Sequence, residues 1–202
     1  MKTLARLTLT LLLAVAPLRA QEIVPSADAQ KYAQILAKAL EGVTGIAPVC
    51  ELDLEHPAAI RAGEVGALVV PDKRVTTAKL GEVGKTAVPL GHLWLRNVAP
   101  AKDGTAIANS RFRTVKVASG DTTADAQIFV LAARRNAKDA LELLVFGKGT
   151  EPILSVPLEK SGDTDTTPIV LRGRKTGEES GVLTCVFFGG YKSEITLTKP
   201  AE

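Results

Sequence analysis

Aromatic side chains are scarce: one Trp, two Tyr and five Phe make up 4% of the 202 residues. A sugar-stacking platform or an aromatic-interleaved nucleic-acid surface needs more rings than this. Histidine and cysteine occur twice each, and His56, His92, Cys50 and Cys185 fit no metal-ligand spacing of the H-E-x-x-H or C-x-x-C kind. A nucleophile elbow and a phosphate-binding glycine loop are also missing. Charge of one sign is nearly balanced. The net charge is +3, and Lys2, Arg6 and Arg19, with no acid before Gln21, account for all of it. A basic partner surface therefore has no support in the rest of the chain, and nucleic acid is excluded as a partner.

Long apolar runs are absent too, with one short exception. Leu7 to Ala16 is apolar apart from Thr8 and Thr10 and follows a cationic start, Met1 to Arg6. As a helix this run rises about 15 Å, half of a hydrocarbon core of about 30 Å, so it reads as an export signal and not as an anchor. Pro17 and the small residue Ala20 place the cut near Ala20, ahead of Gln21. The mature chain is then periplasmic or extracellular, with no transmembrane segment. Export also places Cys50 and Cys185 where thiols can oxidise. A disulfide between them and two separate buried thiols both fit the sequence.

What is present after the leader is one helix and a long β pattern. Ala29, Tyr32, Ala33, Leu36, Leu40 and Val43 recur at three- and four-residue spacing, with Ser26 as the expected cap and Gly42 as the expected stop. From Ile46 onward alternation replaces that rhythm. Ile46, Pro48, Cys50, Leu52 and Leu54 fall on one face of a first strand. Later strands are expected over 67–70, 87–98, 112–118, 126–133, 141–146, 153–158, 169–172, 182–188 and 191–197. The pattern predicts a mainly β fold, an antiparallel β-sandwich or barrel-like sandwich of about eight to ten strands. The expected organisation is a signal peptide over 1–20, an N-terminal amphipathic helical segment over 21–45 and a β domain over 46–202. The turn residues 136–139 mark the place where that domain would subdivide.

Gly189-Gly190 predicts a two-residue hairpin turn, with Phe188 opposite Tyr191, Val186 opposite Ser193, Thr184 opposite Ile195 and Val182 opposite Leu197. A bulge there would slip one strand by a residue and exchange its inside for its outside. A second hairpin joins 141–146 to 153–158. Ser-Gly-Asp-Thr occurs at 119–122 and again at 161–164, which is ordinary turn composition in poorly matching flanks. Asp163 with Asp165, and Asp121 with Asp125, lie in such turns and lack the further oxygen ligands of a calcium loop.

Alternation along Val88 to Arg96 puts His92, Trp94 and Arg96 on one face. An imidazole, an indole and a guanidinium in a row could stack on a sugar or grip a carboxylate. The plainer reading makes Trp94 a core anchor with the other two at its rim. With no catalytic residue, metal or cofactor indicated, the leading expectation is an exported, non-catalytic module of the envelope, structural or engaged with another envelope or extracellular protein. The alternative is a small-ligand or carbohydrate binder using His92, Trp94 and Arg96. A third reading, an enzyme of unfamiliar type, would show itself as His92, Cys185 and an acid converging in one pocket.

Overall fold

A computed structural model describes residues 21–119 and 122–201. The leader and its cleavage site, Asp121 and part of the first Ser-Gly-Asp-Thr turn lie outside them. The elements in chain order are β1 (Glu22–Ile23), α1 (Ser26–Ala39), β2 (Ala58–Ala62), β3 (Val65–Pro71), α2 (Thr77–Gly81), β4 (Val88–Arg96), β5 (Ala99–Lys102) and β6 (Thr105–Ala106). They continue with β7 (Arg113–Ser119), β8 (Thr122–Arg135), β9 (Leu141–Phe146), β10 (Pro152–Pro157), β11 (Glu159–Lys160), β12 (Ile169–Lys175), β13 (Ser180–Phe187) and β14 (Tyr191–Thr198). All of the strand pairs are antiparallel and form two packed sheets. The larger has the order β1-β2-β3-β4-β8-β9-β10 with β7 also on β8, and the smaller has the order β12-β13-β14-β5-β6 with β11 also on β14. No helix among the described residues is long and apolar enough to cross a membrane.

The period of two explains how the larger sheet is covered on both faces. Its inward row crosses the strands as Ala58, Val69, Leu93 and Phe129. These residues pack against Leu171, Leu183, Cys185, Phe187, Ile195 and Leu197 of the smaller sheet. The neighbouring row, Ala59, Leu68, Trp94 and Ile128, points the other way. It meets Ala29, Ala33 and Leu36, the buried stripe of α1. Farther along this outer face, Val130, Ala132, Leu144 and Phe146 are covered by Ile46, Cys50 and Ala87.

Local details depart from the expected ones for traceable reasons. The amides of Asp28 and Ala29 both donate to the Pro25 carbonyl, so Ser26 lies inside the first turn of α1 and caps nothing. The helix ends at Ala39, short of Gly42, which takes φ +82° in the following turn. A five-residue helix, α2, appears where none was expected, with the Thr76 side chain accepting from the Lys79 amide. Residues 46–54 do not form a strand. Only Leu52 bridges to Asp72, although Ile46, Leu52 and Leu54 still pack inward.

The last hairpin has a three-residue connection. Phe187 faces Tyr191, Cys185 faces Ser193, Leu183 faces Ile195 and Gly181 faces Leu197. The expected partners of β14 are therefore one residue off, and the facing of β13 is reversed. Phe188 takes φ +50° and Gly189 φ +64°, and a Cβ on Gly189 would lie 2.4 Å from the Asp165 carbonyl oxygen. The longer turn lets Leu183, Cys185 and Phe187 share the buried side with Ile195 and Leu197. That is more apolar surface than the alternative register hides. The 136–139 segment is a tight turn between β8 and β9 of one sheet, in which the Asn136 side chain accepts from the Lys138 and Ala140 amides.

Candidate functional site

The triplet on β4 is split by its surroundings. His92 is 5% exposed and Trp94 3% exposed. They face the outer layer formed by α1 and residues 43–56, so they present no open stacking face. Arg96 emerges at the end of the strand and pairs with Glu64 at 3.3 Å. His92 stands between Val70 and Val130 in the sheet register, and neither ring nitrogen has a hydrogen-bond partner among the described residues. Burial pulls its imidazole down to about 4, against the opposing field of the Asp72 carboxylate. It is therefore a neutral ring at ordinary pH.

Asp72, directly after β3, is the polar anchor of this face, and its side chain is fully buried. Its carboxylate accepts from the Glu51 amide at 2.9 Å, the Arg74 amide at 2.8 Å, Arg74 Nε at 2.9 Å and Arg74 Nη2 at 2.6 Å. Burial opposes ionisation, but these donors together hold the carboxyl below its usual range. Arg74 Nη2 also donates to the Val49 carbonyl at 2.8 Å. The Asp53 amide donates to Pro71 and the Lys73 amide to Glu51, both at 2.8 Å. This small network pins residues 49–53 over the sheet, and its donors leave the carboxylate no free lone pair aimed at solvent.

Gly91, beside His92, makes the close approach possible. The strand is irregular between Pro89 and Gly91, Gly91 has φ +146°, and a Cβ there would sit 2.3 Å from the Val70 carbonyl oxygen. Its amide faces the Cys50 thiol. Burial, helped by the Asp72 charge, pushes that thiol up to about 12.

Both cysteines are free. Cys185 packs between the two sheets, while Cys50 packs on the outer face of the larger one. A sheet separates them, so the disulfide that export would have permitted has no geometry here. The same separation keeps His92 away from Cys185, so these two groups do not share one pocket. Burial alone pushes Cys185 up to about 12, so neither sulfur is an activated thiolate. Two alkylated cysteines per chain are expected in denatured protein without reductant, with Cys185 protected until unfolding. A mass spectrum in which both thiols resist alkylation until reduced would contradict this placement.

The other polar groups near these elements are occupied by structural contacts. His56 Nδ1 lies 2.8 Å from Asp53 in an exposed turn. Arg113 donates to the Thr44 and Gly45 carbonyls, and Arg134 pairs with Glu142 at 2.6 Å. Asp163 accepts from the Asp165 amide and pairs with Arg172, while Asp165 accepts from the Thr167 amide. Among the described residues no three His, Cys, Asp or Glu side chains are placed to hold a metal ion.

A hollow that no motif announces opens where the two sheets part, between β2 and β3 on one side and β12 and β13 on the other. Its volume is about 540 Å³, within the range of about 300 to 1,000 Å³ of small-molecule sites. The inward row of β12 runs Ile169, Leu171, Gly173, Lys175, and that of β13 runs Phe187, Cys185, Leu183, Gly181. Toward this end large side chains give way to two glycines whose neighbours approach closely, a Cβ on Gly181 lying 3.0 Å from the Arg174 carbonyl oxygen, and the hollow beside them is lined by Ile60, Ala67, Leu183 and Leu197.

Comparison of the chain with family models, curated proteins and solved structures found no match in any of the three.

Proposed function

We propose that this chain is an exported, non-catalytic β-sandwich that acts by binding, with the open end between its sheets as the recognition surface. The observation that carries the reading is the apolar hollow beside Gly173 and Gly181. Its rim includes Val65, an apolar side chain left 36% exposed. The groups capable of chemistry point the same way, because Asp72 and Arg74 are engaged in holding the 49–53 segment and both thiols are protonated at ordinary pH. Export rests on the leader-like composition of residues 1–20, which would deliver the chain to the periplasm or outside the cell.

Native mass spectrometry of the protein recovered from its own envelope fraction tests the reading. The expected result is a bound small molecule that a Val65→Asp variant of unchanged melting temperature loses. An occupant retained equally by the variant would move the binding surface elsewhere. A second reading, association with another envelope or extracellular protein, is favoured by the outer edge of β12, which pairs with no strand among the described residues. This terminal strand of the smaller sheet is a template for strand addition.

A further inference from the structure

We infer that the open end takes a single-chain amphiphile with an anionic head, of the long-chain carboxylate class. This rests on the open end being the binding surface and adds the chemistry of its occupant. The floor of Ile60, Ala67, Leu183 and Leu197 offers no polar side-chain partner, which suits an alkyl chain. The margin is different. Arg61, Arg174, Lys175 and Lys199 line it, against the acids Glu178 and Glu179. Arg61 is held by Glu22 at 2.8 Å and Lys199 lies 3.6 Å from Glu179. Among the described residues Lys175 has no ion-pair partner, and strand parity places it on the inward row, directly opposite Gly181.

A second feature at the same place marks where the head would sit. β12 is an edge strand, so the outward amides along it have no strand partner among the described residues. The Gly173 amide, two residues before Lys175 on the same inward row, donates to the Gln21 side-chain oxygen at 2.6 Å. Gln21 also lines the hollow. An oxygen acceptor is thus already seated at the hollow's edge, on a donor that the absence of a side chain at position 173 leaves accessible. A Cβ on Gly173 would lie 3.2 Å from both that oxygen and the Ile60 side chain. A carboxylate exchanging with the Gln21 oxygen would accept from the same amide and gain the Lys175 ammonium, while its chain lay along Ile60, Ala67, Leu183 and Leu197. The charge-assisted contact is the stronger of the two, which favours an anion over a neutral head.

Calorimetric titration of the purified full chain with decanoate, decanol and decylamine, three heads on one alkyl chain, tests this. Decanoate is expected to bind tightest and decylamine weakest. Lys175→Glu is expected to weaken decanoate about tenfold, the scale of one charge-assisted contact, and to leave decanol unchanged. Val65→Asp is expected to weaken all three, and circular dichroism verifies that both variants fold. Decanol binding as tightly as decanoate, or indifference to Lys175→Glu, would overturn the anionic head and leave the open end as a binding surface. Failure of all three ligands would overturn both readings. Binding to anionic phospholipid vesicles but not to dissolved decanoate would overturn the soluble amphiphile in favour of a membrane surface.

Discussion

Replacing Trp94 with Ala is expected to destabilise the protein by about 3 to 5 kcal/mol, the range for emptying a buried aromatic site. The indole sits between Leu68 and Ile128 in the sheet register and shares a cluster with Ala29, Ala33 and Leu36 of α1. Its removal leaves a void beneath a helix whose three buried residues include two alanines, and those short side chains cannot reach in to fill it. The loss should therefore fall near the upper end of the range and loosen α1 before the sandwich opens. Trp94→Phe is expected to cost much less, because the Nε1 group has no hydrogen-bond partner to forfeit. Urea denaturation followed by circular dichroism measures both variants. A Trp94→Ala protein as stable as the parent would mean that α1 does not pack on this face.

How much of this was legible in the sequence depends on how many layers cover each face. Alternation located most of the long strands but missed β2 and β5, since residues such as Ala67, Val69, Leu93 and Phe129 repeat at the sheet period and meet the opposite sheet. The same alternation placed His92, Trp94 and Arg96 together without telling whether their face is open. A sheet buried on both sides writes apolar residues at both parities, and what closes this face is α1 and the 43–56 segment. The slip of the last hairpin has a related origin. Val182 and Val186 on one parity, and Leu183, Cys185 and Phe187 on the other, give β13 two apolar faces, so only the turn could choose between them. A non-glycine residue, Phe188, took one of the positive φ values, and that lengthened the turn by one residue.

The Asp72 anchor and the open end left no local trace, for a different reason. Glu51 and Asp72 are 21 residues apart, and an amide-to-carboxylate contact has no periodicity to read. Gly173 and Gly181 become neighbours on one face only after β12 and β13 are registered as Lys175 opposite Gly181. Single glycines in a strand pattern suggest a bulge or a close approach, and at Gly91 that is what they mark. At 173 and 181 they mark close approaches as well, a Cβ lying 3.2 Å from Gln21 Oε1 and the Ile60 side chain at 173 and 3.0 Å from the Arg174 carbonyl oxygen at 181, beside a hollow that only the facing sheet defines.

Acidification provides the second large effect. His92 has a folded pKa of about 4 against an ordinary value of 6.5, so between those values the unfolded chain binds more protons than the folded one. Stability must then rise with pH across that window. The full contribution is present above about 6.5, and it is lost as pH falls toward 4. The loss expected between pH 7 and 4 is about 3 kcal/mol at 1.36 kcal/mol per pKa unit. Asp72 adds to the slope at the acid end. Its carboxyl is held below the usual range by Arg74 and Glu51, so its stabilisation disappears as pH falls through that depressed value. The two contributions can be separated with His92→Leu, which removes the titrating ring and its two unpartnered nitrogens while filling the same space between Val70 and Val130. Urea midpoints of this variant are expected to lose most of the slope between about pH 6.5 and 5 and to fall at lower pH, where Asp72 and the other carboxylates held below their usual range, Glu142 and Asp163 among them, protonate. A parent protein whose stability is the same at pH 4.5 and 7 would show that the imidazole is hydrated or partnered in solution, and a variant retaining the full slope would assign it to another group.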